Sequence, residues 1–158
     1  MDIFSQLVAL LISKNYHISC AESCTGGLFA ASLVGVPDAS RVLELSLVTY
    51  SERMKTEFAA VPAELLEKYG VVSEQVAVAM AKGAAAAGMA EVGVGFTGIA
   101  GPGGGTEKIP VGTVCMGFCV NGKTASKTFF RENCGRNELR RLACEDAASM
   151  LIKLLEIL

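Results

Sequence analysis

Tyr16-His17-Ile18-Ser19-Cys20-Ala21-Glu22-Ser23-Cys24-Thr25-Gly26-Gly27 contains a change of pattern that decides how the whole chain is read. A short, largely apolar run from Tyr16 to Cys20, with a β-branched residue inside it, gives way to small polar residues and then two glycines. Leu28, Phe29, Ala31, Ser32 and Leu33 follow, small and apolar residues suited to a helix packed closely on a sheet. The stretch therefore predicts a strand that hands over to a helix through a tight turn. Upstream, Ile3, Leu7, Leu10 and Leu11 recur at helical spacing, so a first helix precedes the strand.

Downstream, the same alternation continues. Leu43 to Thr49 reads as a second strand and Glu52 to Phe58 as a helix. Pro62 suits the first position of another helix that reaches Tyr69 and stops at Gly70. Ser73 is placed to cap an alanine-rich helix over about residues 74–87, and Glu91 to Thr97 reads as a buried strand. After the glycine tract Gly98 to Gly105, the segments Val111 to Val120 and Thr124 to Phe130 form two strands. Asn121-Gly122 joins them, a pair that accepts the positive φ angles of a tight hairpin. Glu138 to Leu158 closes the chain as an amphipathic helix. This order predicts an α/β fold, a three-layer α/β/α sandwich around a mixed, mostly parallel sheet of about five strands.

The chain of 158 residues fits one domain, residues 1–158. With 51% hydrophobic and 19% charged residues it has ample apolar surface for a core. Its 14 basic and 16 acidic side chains leave a charge of -2, with no basic stripe to neutralise phosphates, so nucleic acid is not expected as a partner. The apolar opening Ile3 to Ile12 lacks the cationic region and small-residue cleavage site of a secretory signal, and no apolar run is long enough for a membrane span. A cytoplasmic, reducing setting is the expectation, with the six cysteines as free thiols. The alanine- and leucine-rich last helix suggests a homo-oligomer.

Turns at the carboxyl edge of an open α/β sheet are where such folds bind ligands, which singles out Ser23. It reads as a nucleophile with the backbone amides of Cys24, Thr25, Gly26 and Gly27 as its oxyanion hole, or equally as a helix cap in which Ser23 or Thr25 accepts an N–H. The single histidine, His17, has no motif around it, so a Ser-His-Asp triad is not supported. Lys55, just after Thr49-Tyr50-Ser51, is the available base once burial lowers its pKa, and Tyr50 can share the proton or align the amine. Plain readings stand beside these: a solvated helix lysine and a half-buried strand aromatic.

Cys24 is a competing nucleophile. Cys20/Cys24 and Cys115/Cys119 have a spacing seen in zinc sites, but on separate strands and almost without histidine, so no metal is expected. Gly93-Val94-Gly95-Phe96-Thr97-Gly98 matches a dinucleotide fingerprint but falls inside a strand, which makes it a decoy. The tract Thr97 to Thr106, with Gly98, Gly101 and Thr106, follows a strand and can offer amides to an anion, yet lacks the Lys-Ser/Thr ending of a P-loop. Among Arg131, Arg136, Arg140 and Arg141, Arg136 at the loop-to-helix junction is the candidate partner for a phosphate or carboxylate.

Ala-Glu-Ser-Cys-Thr-Gly-Gly at 21–27, Val-Thr-Tyr-Ser at 48–51 with Lys55, Val-Ser-Glu at 72–74, Gly-Ile-Ala-Gly-Pro at 98–102 and Pro-Val-Gly-Thr-Val at 110–114 together resemble the CinA C-terminal domain family. The resemblance spans nearly the whole chain. It implies a nicotinamide mononucleotide amidase, which releases ammonia and leaves nicotinic acid mononucleotide in pyridine-nucleotide recycling. By motif it assigns catalysis to Ser23 and Lys55 with help from Tyr50. The glycine tract and Arg136 are then expected at the nucleotide phosphate, and no cofactor is required. A pyridine-nucleotide-binding module without turnover is the alternative. The chain departs from the family pattern at Glu52-Arg53-Met54, where Asn-Glu-Ala is common, and at Ile109, where a lysine is usual and Lys108 stands one place earlier. Cys134-Gly135-Arg136-Asn137 keeps the arginine of Gly-Asp-Arg-Asp without its acids.

Overall fold

The computed structural model describes residues 1–158. Its elements alternate as expected. Helix α1 (Ile3–Lys14) leads into β1 (Ile18–Glu22), α2 (Leu28–Val34), a 3-10 turn (Ala39–Arg41) and β2 (Leu43–Val48). Three helices follow, α3 (Glu52–Ala59), α4 (Ala63–Tyr69) and α5 (Glu74–Gly88), and then β3 (Val92–Ile99), β4 (Thr113–Val120), β5 (Lys123–Phe130) and α6 (Arg136–Ile157). The five strands form one sheet in the order β2-β1-β3-β4-β5. β1 pairs in parallel with β2 and β3, while β4 runs antiparallel to both β3 and β5, so β4 is the only reversed strand.

Local chemistry accounts for the boundaries. Asp2 accepts from the Phe4 and Ser5 N–H groups at the start of α1, Ser51 from Met54 N–H at α3, and Ser73 from Val76 N–H at α5. Asn121 and Gly122 take φ angles of 49° and 81°, the left-handed pair of a two-residue hairpin. Pro62 stands one residue before the helix it was expected to begin, with extended backbone, and acts as its N-cap.

Helices α1, α2 and α6 cover one face of the sheet, and α5, backed by α3 and α4, covers the other. The larger core, 25 buried residues including Leu7, Phe29, Phe96, Phe118 and Leu151, lies under the first group. A smaller one of six, among them Val61, Val76 and Met80, lies under the second. The second layer is thin because α5 sits almost on the strands. A methyl group on Gly93 would fall 2.0 Å from the Ala81 carbonyl oxygen, and one on Gly95 would fall 2.3 Å from that of Ala77. The apparent dinucleotide fingerprint at residues 93–98 is thus the floor on which an alanine-rich helix rests.

Among the boundaries that differ from expectation, three matter for the site. β1 runs two residues later than Tyr16 to Cys20, which places Glu22 in the strand and fully buries it. β3 continues through Gly98 to Ile99, because the antiparallel partner β4 holds its end. α6 begins at Arg136 and not Glu138, so that arginine is its first residue. All six cysteines are free thiols. No helix is long and apolar enough to cross a membrane.

Candidate active site

β1 and β3 lie side by side and send their following segments in different directions, the arrangement that opens a crevice at the carboxyl edge of an α/β sheet. A cleft of about 410 Å³ sits there. Ser23 and Cys24 from the end of β1, Lys55 and Glu52 from α3, Thr97 to Gly101 from β3 and its loop, and Arg136 from α6 line it, with Tyr50, Val71, Val72, Gly103 and Gly104.

The Lys55 ammonium nitrogen is 2.9 Å from Ser23 Oγ. It also lies 2.7 Å from the Thr49 carbonyl oxygen and 3.4 Å from that of Tyr50. Lys55 is only 1% exposed. Burial lowers its pKa below the ordinary lysine value, opposed by the nearby Cys24 and Glu52. As an ammonium Lys55 donates to all three oxygens; as a neutral amine it keeps two N–H donors for the carbonyls and has a lone pair to turn toward the serine hydroxyl.

Tyr50 is placed otherwise than the sequence suggested. Its carbonyl reaches Lys55, while its side chain is 61% exposed and its hydroxyl accepts from Arg136 at 3.2 Å. Arg136 also donates to the Gly101 carbonyl at 2.7 Å, which ties the start of α6 to the glycine loop across the cleft. Thr106 lies outside the cleft. Its hydroxyl accepts from Ile109 N–H and its own N–H donates to the Ile109 carbonyl, so it closes the loop upon itself. Gly98 and Gly101 do line the cleft.

The turn after β1 is two β-turns in succession. Gly26 N–H donates to the Ser23 carbonyl at 2.9 Å, and Leu28 N–H donates to that of Thr25 at 3.0 Å. Gly26 and Gly27 hold φ angles of 60° and 99°, as the second turn demands and as only glycine adopts without strain. Gly27 N–H is taken by Glu22 at 3.0 Å. Neither glycine amide is therefore free to serve an oxyanion. Cys24 and Thr25 N–H have no protein acceptor, and of the two residues only Cys24 lines the cleft, so of the four expected amides that of Cys24 is the one left as a candidate. Thr25, Gly26 and Gly27 do not line the cleft. The Cys24 side chain packs into the larger core and burial pushes its thiol up to about 12, which leaves no thiolate to compete with Ser23.

Two residues that hold this turn escaped the sequence reading. Glu22, 0% exposed, accepts from Gly27, Phe29 and Ala30 N–H at 2.9–3.2 Å and so caps α2 from the strand before it. Arg140 donates to the Cys24 and Thr25 carbonyls at 2.9 and 2.8 Å. An acidic residue shortly after the predicted strand end and in front of a helix was the available signal for Glu22. Arg140 carried none, because its partners are backbone atoms more than a hundred residues away.

Comparison with known proteins agrees with this architecture. The family described as the CinA C-terminal domain matches residues 2–155. A CinA-like protein of Anaeromyxobacter sp. (strain Fw109-5) is 45% identical over 146 residues, which is 92% of this chain but 35% of that protein. The chain thus spans about a third of that relative's length. A CinA superfamily protein from Escherichia coli superposes with a TM-score of 0.91 at 32% identity, covering 96% of this chain and 88% of its own. The competence/damage inducible protein CihA from Agrobacterium tumefaciens gives a TM-score of 0.89 at 36% identity, covering 98% and 96%. With the family matched from end to end and the fold shared with its solved members, the chain belongs to the CinA C-terminal domain family.

Proposed function

We propose that the chain is an amidohydrolase that deamidates nicotinamide mononucleotide to nicotinic acid mononucleotide and ammonia. The observation that carries the reading is the 2.9 Å contact between a serine hydroxyl and a buried lysine of lowered pKa at the edge of an open cleft. A lysine whose pKa burial lowers gives up its proton more readily than an ordinary lysine and can take one from a serine hydroxyl, so the pair can form a nucleophile without histidine. The family resemblance supplies the substrate class.

In this reading Ser23 Oγ attacks the carboxamide carbon as its proton passes to Lys55 Nζ. The developing oxyanion lies against the Cys24 N–H, which has no acceptor in the protein. Lys55 returns the proton to the departing nitrogen, ammonia leaves, and an acyl ester on Ser23 remains. Water, deprotonated by the same amine, hydrolyses the ester and restores Ser23. Val71, Val72 and Ile99 give the pyridine ring an apolar wall, and Arg136, held by Gly101 and Tyr50, faces the phosphate end. Tyr50 then acts through Arg136 and not through Lys55. No cofactor enters the reaction.

The test is incubation of the purified chain with nicotinamide mononucleotide, measuring ammonia and the deamidated nucleotide together. Stoichiometric release in the wild type, lost in Ser23→Ala, is the expected result. Nucleotide binding without ammonia would overturn the amidase reading in favour of a binding module.

A further inference from the structure

We propose that Glu52 is a specificity-determining residue of the cleft. Its carboxylate selects a positively charged pyridinium ring over an uncharged ring of nearly the same shape. This role rests on nicotinamide mononucleotide being the ligand, as argued above, and names the feature of it that a negative side chain recognises.

Glu52, Lys55 and Arg136 are the only Asp, Glu, Lys or Arg side chains that line the cleft. Lys55 is buried and engaged with Ser23 and the Thr49 carbonyl. Arg136 donates to the Gly101 carbonyl and the Tyr50 hydroxyl, neither of which neutralises its charge. Glu52 is exposed and takes part in no ion pair. A carboxylate and a guanidinium thus face one cleft of about 410 Å³ without pairing with each other, and both charges stay available to what enters.

The place of Glu52 on α3 sets what its charge can reach. Glu52 and Lys55 stand three residues apart, so they are neighbours on one helix face, with Cβ atoms roughly 5–6 Å apart. Burial lowers the Lys55 pKa, and Glu52 is one of the two groups that oppose it, so the carboxylate is felt at the Ser23–Lys55 pair. A carboxamide carbon in contact with Ser23 brings the ring that bears it to the same end of the cleft. In nicotinamide mononucleotide that ring is cationic and the phosphate anionic, so the ligand carries both charges that the cleft leaves unpaired. Val71, Val72 and Ile99 give shape and do not distinguish a charged ring from a neutral one. An acid in the first turn of α3 also suits the positive end of the helix dipole. That explanation concerns stability alone and is indifferent to the ligand. Glu52 stands where asparagine is common in the family, so the charge belongs to this chain and not to the shared pattern.

The test measures binding by isothermal titration calorimetry at mildly alkaline pH in Ser23→Ala, which prevents turnover, with and without Glu52→Gln. The two ligands are nicotinamide mononucleotide and its 1,4-dihydro form, which keeps the carboxamide, ribose and phosphate but has an uncharged ring. Glu52→Gln is expected to raise Kd for the first about 3- to 10-fold and for the second by less than about twofold. High salt should erase most of that contrast, because the charge of an exposed carboxylate is screened. Circular dichroism checks the fold of each variant. Glu52→Asn is the second uncharged variant and carries the decision if Glu52→Gln does not fold.

Equal weakening of the two nucleotides, or no weakening of either, would overturn the proposal, since a helix-dipole role does not depend on the charge of the ring. If the contrast appears but wild type releases no ammonia, the amidase reading falls and the role of Glu52 stands. If wild type deamidates the nucleotide and the contrast is absent, the role of Glu52 falls alone. Failure of both wild type and Ser23→Ala to bind either nucleotide would remove both.

Discussion

Two glycine-rich segments meet at the carboxyl edge of the sheet, the turn at residues 22–27 and the loop at residues 101–108, and they are built in opposite ways. In the turn, Glu22 to Thr25 are all buried and side chains from β1 and α6 grip the backbone. In the loop, Pro102 to Lys108 are exposed, and the only side-chain ties are Arg136 on Gly101 and Thr106 on Ile109. Similar composition gives a fixed chemical centre in one place and an open wall in the other. What separates them is whether ionisable side chains, the buried Glu22 and the partly buried Arg140, hold the peptide groups.

The sharpest way to break the comparison is Ser23→Ala, which removes the one atom the turn is built to present. Deamidation is expected to fall by at least about 10⁴-fold while the thermal melting curve holds, and the ammonia assay reads it. Glu22→Ala comes next. It strands three amides inside the protein, so about 3–5 kcal/mol of stability should be lost in urea unfolding.

A titration belongs to the turn and not to the loop. The proposed base is active when neutral, so kcat/KM should rise about tenfold per pH unit, and level off as pH passes a folded-state pKa that lies below the ordinary lysine value. The stability sign follows. Between that lowered pKa and the unfolded value the denatured chain binds more protons, so unfolding free energy should increase with pH across this window. A pH–rate profile that levels off only at or above the ordinary lysine range would remove Lys55 as the base.

Two glycine substitutions sharpen the contrast at the small end. Gly27→Ala forces an L-residue to a φ of 99° and should cost about 1–2 kcal/mol. Gly103→Ala meets nothing within 4 Å and needs no left-handed backbone. It should be neutral or stabilise by up to about 1 kcal/mol through the unfolded chain, with activity retained.

The strand-helix alternation was legible because α1, α3 and α5 carry their own caps and β3 and β4 are nearly continuous apolar runs. The Asn121-Gly122 hairpin was legible for the same reason: its chemistry is local. Ser23 and Lys55 were singled out from their places near strand ends, and the structure brings the two side chains to 2.9 Å. The side chain of Tyr50 was not legible, since its partner Arg136 lies 86 residues away. Glu22 was hidden by a two-residue error in where β1 ends. Thr106 was drawn into the site by its neighbours' glycines, whereas its own hydrogen bonds close the loop. Errors cluster where backbone atoms, which leave no trace in residue identity, are the partners.

The first turns of α6 supply Arg136 and Arg140, although the dyad itself is complete by Lys55. Synthesis at about 5–20 residues per second delivers these arginines several seconds after the lysine. During that interval a nascent chain holds its serine and its base without the two arginines that brace the turn and the glycine loop. If the proposed dyad is the reactive centre, its reactivity is tied to completion of the fold, and a chain stalled before residue 136 is expected to be chemically quiet.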